Sequence, residues 1–437
     1  MIGKRAQRLV FFGLISLGVH MGVWGQPYSA GFSDDENAFD APIPGFVGPL
    51  GDGVVPAAGS EDEAFENSVN GLFLGWADEV DSYWPVYPTV DPVWRFPTLA
   101  LGPVTGDAYD VVSLGDMEDI DFEDGVDPGE LTLSFSEPIQ NLSGADFAVF
   151  ENALVAWTVN DDGVAKVFGE LAFVEVSSDG TNFVRFPSVS TTESFVSSYG
   201  EIDPTLVHNL VGKHLNGYQR SWGTPFDLSD LLGEAEVVNG LVDLDQIRYV
   251  KIVDIPGRGD FTDSLGNPIY DPWSTYGSGG VDIEAVGVIS RGMTFDQWAQ
   301  AGVTDPDVDG DKDGYPNWME YAFRLDPSVA DRESAYWLES DEGDQMKLWF
   351  RRDERIADLL YVVEVTDDLV DVESWDAIAT FGPLNQQAVV APEEVEGVEV
   401  NWAGDQASVG VLQEVAVLLP FLVDGPRFYR IRLEPLE

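Results

Sequence analysis

The sequence predicts a mainly β protein: a large antiparallel β-sandwich, a short helix–loop–helix segment, and a small C-terminal β-sandwich. Three observations carry that expectation. Apolar and polar residues alternate over short runs bounded by Gly, Pro, Asn and Asp. No long stretch repeats its apolar residues at the helical period. One glycine-centred acidic run, Asp309 to Glu320, divides an earlier strand-rich region from a later one. The expected organisation is residues 1–25 as a leader, 26–291 as the large sandwich, 292–330 as the connecting motif and 331–437 as the small sandwich.

At the N-terminus, Lys4, Arg5 and Arg8 precede an apolar run from Leu9 to Val23 that is broken by Gly13, Ser16, Gly18 and His20. A membrane-spanning helix needs about 20 mostly apolar residues. A secretory signal peptide with cleavage near Gly25 fits better, placing the mature chain outside the cell or on its surface. The chain has no cysteine. Neither disulfides nor a lipid anchor on a thiol can hold it there, so burial and bound metal are left to stabilise it.

Residues 26–70 show no period and read as a loop or extended lead-in. Strands are expected at LTLSF (131–135), DFAVFE (146–151), AFVEVSSDGTNFVRFP (172–187), QIRYVKIVD (246–254) and VDIEAVGVI (281–289). In the third, Phe173, Glu175 and Ser177 face opposite to Val174 and Val176, and Asp179-Gly180 is a hairpin turn signal. Beyond residue 331, strands are expected in QMKLWFRR, LLYVVEVTDDL, EVAVLLPFL and RFYRIRLEP.

Lys and Arg number 22 and Asp and Glu 78, so the net charge is 22 − 78 = −56. Such a surface repels phosphates and anionic membranes, which argues against nucleic acid as a partner, and attracts divalent cations. With 44% hydrophobic residues the chain can still bury a core, so it is no disordered acidic tail.

The sharpest chemical signal is DGDKDGYPNWME, residues 309–320. Calcium takes six to eight oxygens, and a short chain can wrap it when carboxylates recur on alternate residues around a tight turn. Asp309, Asp311 and Asp313 would be the first ligands, Gly314 the turn, Tyr315 a backbone carbonyl, Asn317 a direct or water-mediated contact, and Glu320 a bidentate carboxylate. Pro316 suits the first turn of a following helix. Upstream, Thr294 and Gln297 have capping-box spacing for a short entering helix. The expected cofactor is therefore Ca2+.

This loop resembles those of dockerins and thrombospondin type 3 repeats, over about residues 303 to 328. The succession of LTLSF, DFAVFEN, AFVEVSSDGTNFVRF, IRYVKIVD and VDIEAVGV resembles the discoidin or galactose-binding jelly-roll sandwich. With VEVSSDG, GTPFDL and the last strand, it is similar to exported bacterial surface proteins of the PEP-CTERM-associated group. These resemblances imply a jelly-roll fold and a binding or surface role.

Other residues invite sharper readings. The run 115–127, GDMEDIDFEDGVD, offers Asp116 and six further acids as a second metal loop or a solvated acidic one. By the sandwich resemblance, Asp146, Glu151 or Asp282 would line a calcium near the strand ends. Arg258-Gly259-Asp260 is an adhesion-type tripeptide. His208 and His214 lack the context of a zinc site or a serine triad. The stretch holding Trp76, Tyr83, Trp84, Tyr87, Trp94 and Phe96 could stack sugar rings, with Trp76, Trp84 and Trp94 the named candidates. Together these predict a non-catalytic, secreted, calcium-binding protein that takes carbohydrate or a matrix component as partner. The alternatives are a polysaccharide hydrolase or lyase, and a purely structural matrix component.

Overall fold

The computed structural model describes residues 41–56, 66–299, 305–330, 335–340, 346–371, 374–382, 389–390, 398–402, 412–419 and 428–436. The expected leader, 1–25, lies outside them. Among the described residues no helix is long and apolar enough to cross a membrane.

Two antiparallel sheets form the large N-terminal unit. One runs in the order Ile43–Pro44, Trp222–Phe226, Phe147–Glu151, Asp282–Val288, Gly75–Trp76, with Val112–Ser113 also paired to Asp282–Val288. The other runs Val184–Arg185, Ala172–Ser177, Ile247–Asp254, Glu130–Ile139, Glu79–Trp84. Phe147, Val149, Ile283, Val286 and Val288 of the first meet Leu131, Leu133, Val174, Val176, Val250 and Ile252 of the second in one core. Each such side chain contributes roughly 1.5–3 kcal/mol by leaving water. All five strands expected in this region form.

Phe147–Glu151 is buried at every position, because its two faces serve different clusters. Phe147 and Val149 point between the sheets, while Ala148 and Phe150 pack outward against Ile43, Phe46, Leu72 and Phe73. The lead-in therefore does more than loop. Ile43–Pro44 pairs with Trp222 and Gly223, and Phe46–Val47 with Ser68–Val69. Similarly, Val174 and Val176 face the shared core while Phe173 packs outward with Leu210, Leu215, Ile255 and Ile269. The alternation read at 173–177 holds, with Leu210, Leu215 and Ile269 covering the Phe173 side. At the turn that follows, Asp179 Oδ1 accepts the amides of Thr181 and Asn182, both at 2.8 Å, and Gly180 adopts φ 73.

The C-terminal unit has two antiparallel four-stranded sheets. Tyr336–Ser340, Met346–Asp353, Leu412–Leu418 and Val398–Trp402 form one. Val389–Val390, Asp376–Phe381, Leu359–Thr366 and Phe428–Pro435 form the other. Each of the four strands expected here is present. The connecting motif is built into this unit: Met293, Phe295, Tyr321 and Phe323 share an apolar cluster with Phe350, Tyr361, Val363 and Phe381.

The two units meet at Arg355. Its Nη1 donates to Leu72 O at 3.0 Å and Ile289 O at 3.4 Å, while Met293 N donates to Arg355 O at 2.7 Å. Asp353 accepts from Arg355 at 2.8 Å and pairs with Arg324 at 3.0 Å.

Candidate functional site

The helix–loop–helix signals are realised locally. Phe295–Trp298 is a short helix with the Thr294/Gln297 capping box formed in both directions. Asn317–Phe323 is the second, with Pro316 as its N-cap rather than its first residue and Arg324 closing it at φ 53. Between them the loop's carboxylates are fixed by its own amides. Asp309 Oδ1 accepts from Lys312 N at 2.7 Å and its Oδ2 from Gly314 N at 3.1 Å. Asp311 Oδ1 accepts from Asp313 N at 3.2 Å, and Asp313 Oδ1 from Tyr315 N at 2.8 Å. Lys312 at φ 68 and Gly314 at φ 106 give the sharp turn.

Asp309, Asp311 and Asp313 bring carboxylate oxygens within 4.8 Å of one another, and Asp311 Oδ2 is a buried atom with no hydrogen-bond partner. Glu320 is not in that group. Its side chain is fully buried on the helix. Asn317 is buried too, its Nδ2 donating to Asp305 O at 2.8 Å, which leaves Oδ1 as its acceptor. Tyr315 is half-buried beside them. The structure thus gathers three of the six expected ligands and holds the others on the adjoining helix and turn.

The aromatic candidates separate. Trp76 packs against Phe73 and Phe150 at 4.7 and 5.9 Å between ring centres, so it belongs to the core. Trp84 is exposed on Glu79–Trp84, a strand of the other sheet. Trp94 stacks on Tyr109 at 5.8 Å and lines a cleft of about 530 Å³ with Tyr218, Asp107, Asn152 and Gln219. Tyr109 and Tyr218, both largely exposed, carry no periodic signal in the sequence, because they sit in loops that only folding brings together. Beneath that wall, Glu284 accepts from Thr105 N and Gly106 N at 2.7 Å each, and burial pushes its carboxyl up.

The remaining candidates also sort. Residues 115–127 do not take the form of an alternating-carboxylate loop: Asp119–Asp124 is a helix, capped by Glu118 and Asp121 and closed by Gly125. Of that run's acids only Asp116 is buried, at 2% exposure. Arg258 is bonded to Asp260 at 2.6 Å and to Asp119 at 2.6 Å, so the tripeptide's charges are spent on the protein itself. Asp146 is buried at the start of its strand, accepting from Leu142 N and Leu228 N. Burial, then the Asp227 charge, pushes its carboxyl well up. Glu151 and Asp282 lie together at the opposite end of the sheet, where Ile283 pairs with Glu151. They are joined there by Glu170, Asp254 and Asp271, which sequence reading passed over. Of the three only Asp254 carried a strand signal, as the acid that closes IRYVKIVD, whereas Glu170 precedes Ala172–Ser177 and Asp271 lies in a loop.

No known family model matches the chain, and no curated protein is significantly similar to it.

Proposed function

We propose that this is a non-catalytic calcium-binding protein of the cell exterior, holding the ion in the Asp309–Glu320 loop and a carbohydrate-class ligand on the large sandwich. Kinship with dockerin-like modules and exported surface proteins is part of the same proposal. One observation carries it: three aspartates that converge within 4.8 Å on a loop whose amides orient them. Like charges so close repel one another, and a hard divalent cation relieves that repulsion. In this reading the Tyr315 carbonyl, Asn317 Oδ1 and Glu320 complete the shell. Because Tyr321 and Phe323 anchor the same helix in the C-terminal core, the ion would stiffen the loop against that core and steady the junction.

Calcium at 100 times its dissociation constant stabilises the folded state by about 2.7 kcal/mol. For a unit of this size that raises the melting temperature by about 5 °C or more. Chelation is expected to reverse that gain and to expose residues 300–330 to protease. Identical melting curves with and without calcium would sink the metal half of the proposal.

Support for the ligand half is the cleft of Trp94, Tyr109 and Tyr218, whose flat apolar faces suit the C–H faces of sugars. A glycan array followed by a turnover assay on the positive glycans tests it. Binding without product is the expected result. Product formation would make the protein a hydrolase or lyase, and self-association with no glycan bound would make it a matrix component.

A further inference from the structure

We propose that the cleft between the two units is an anion site, separate from the calcium loop and the aromatic cleft, that takes a small carboxylate-bearing molecule on the guanidiniums of Arg324 and Arg291. The cleft encloses about 710 Å³. The large unit contributes the stretch from Asn70 to Leu74 and Arg291, and the other side contributes Gln297, Trp298, Arg324, Asp353 and Arg355. The chain has 22 basic residues against 78 acidic ones, yet here three arginines meet a single carboxylate. That reversal of the molecule's charge is confined to one concave place, where a low-dielectric wall strengthens its pull on an anion.

The three arginines are not equally committed. Arg355 is spent: its Nε donates to Asp353 Oδ1 at 2.9 Å, its Nη2 to Oδ2 at 2.8 Å and its Nη1 to the Leu72 carbonyl. Arg324 reaches the same carboxylate only through Nε, at 3.0 Å, with its side chain 26% exposed. Among the described residues its two Nη groups have no acceptor, so four N–H donors of a half-buried cation stand open to the cleft. Burial, opposed by Asp353 and reinforced by the charge of Arg355, holds this guanidinium below its ordinary value. A second anion would relieve that cost. Arg324 also ends its helix in the left-handed region, at φ 53, where glycine is the usual residue.

Arg291 supplies the second cation. Its Nη2 donates to the Leu74 carbonyl and its Nη1 pairs with the exposed Glu137 at 3.0 Å. Gly75 leaves room for it, since a Cβ there would stand 2.7 Å from Nη1. An exposed ion pair of this kind contributes little, and Glu137 does not line the cleft, so a ligand carboxylate can take its place. The planar guanidinium fork matches a carboxylate in two parallel hydrogen bonds. A phosphate would suit the fork equally, but its extra charge is opposed by the surrounding acidic surface. The space exceeds what a bare ion fills. Gln297, whose Oε1 is taken by Thr294 N at 2.8 Å, keeps its amide donors for the ligand's body, and Trp298 adds an aromatic surface.

The test titrates the full chain, at fixed ionic strength and saturating calcium, with glucuronate and with its uncharged amide, glucuronamide, by isothermal calorimetry. The acid is expected to bind at one site about tenfold or more tighter than the amide. Arg324→Gln is expected to erase that preference, while Trp94→Ala, in the aromatic cleft, keeps it. Equal binding of acid and amide, no saturable binding of the acid, or an acid preference that survives in folded Arg324→Gln overturns the proposal. So does its loss in Trp94→Ala, which would place the acid on the aromatic cleft instead. Inorganic phosphate is titrated alongside, and tighter binding of phosphate than of glucuronate overturns the carboxylate assignment. Should Arg324→Gln fail to fold, Arg291→Gln is read in its place: it is expected to weaken the acid severalfold and leave the amide unchanged, and an undiminished preference overturns the site.

Discussion

Asp353 and Asp254 are buried to nearly the same degree, 2% and 1% exposed, in surroundings of opposite character. At the junction of the two units, burial works against the charge of Asp353, but the guanidiniums of Arg355 and Arg324 outweigh it and hold the carboxyl below its ordinary range. At the end of the sandwich, burial and then repulsion from Asp116 push the Asp254 carboxyl well above that range. A chain with 78 acidic and 22 basic residues cannot give every buried acid an arginine. Asp353 has two at the junction and Glu364 two within the C-terminal unit, while among the described residues Asp254 has none.

Breaking the first half of that comparison should have the largest effect. Arg355→Met leaves Asp353 with only Arg324 and frees the Leu72 and Ile289 carbonyls, an expected loss of about 3–5 kcal/mol in chemical denaturation. Adding Asp353→Asn should restore part of it, and a single-variant loss below about 1 kcal/mol would remove the contrast. The other half is probed by Asp254→Asn. At pH 7 this variant is expected to match or exceed wild type in chemical denaturation, since one uncompensated charge is gone. A loss of stability at pH 7 in place of a gain would count against burial and like charge as the cause of that raised carboxyl. Glu320→Gln comes next, weakening calcium binding to the loop about tenfold, or about 1.4 kcal/mol, by isothermal titration.

The smallest effect concerns pH. Burial raises the Asp227 carboxyl to about 6, close to buried Asp146. The folded chain therefore holds a proton that the unfolded chain releases above the ordinary carboxylate range, so this contribution is full below about pH 4 and lost as pH rises through about 6. Asp227→Asn keeps a good N-cap on Leu228–Leu231 while removing the charge. Stability at pH 7 is expected to rise on the order of 1 kcal/mol, with a flatter slope between pH 4 and 7. An unaltered slope would show that this pair does not set it.

Much of the architecture was legible because alternation and turn residues are local signals. FVEV, IRYVKIVD and the Thr294/Gln297 capping box needed no distant partner to be read. Trp222–Phe226 and Glu79–Trp84 were not read, since Gly and Pro interrupt one and acidic residues the other, and only neighbouring strands make them strands. The loop at 309–320 was legible as spacing, but Glu320 on a buried helix face was not expected to stand apart from the three aspartates. Trp76 looked like a surface platform because aromatic residues cluster in sequence there, whereas it packs with Phe73 and Phe150 on the outer face of its own sheet. Glu170, Asp254 and Asp271 went unread since 78 acids drown any single one, and their meaning lies in two sheets ending at the same place.

The bonds from Arg355 to Leu72 and Ile289 also decide where the molecule can be cut. A fragment ending at residue 291 would expose two main-chain acceptors and an apolar patch around Leu74, which packs on the C-terminal cluster. Expression boundaries chosen from strand patterns alone would therefore yield a sandwich with a raw seam, and a soluble half needs that seam redesigned before its glycan binding can be studied in isolation.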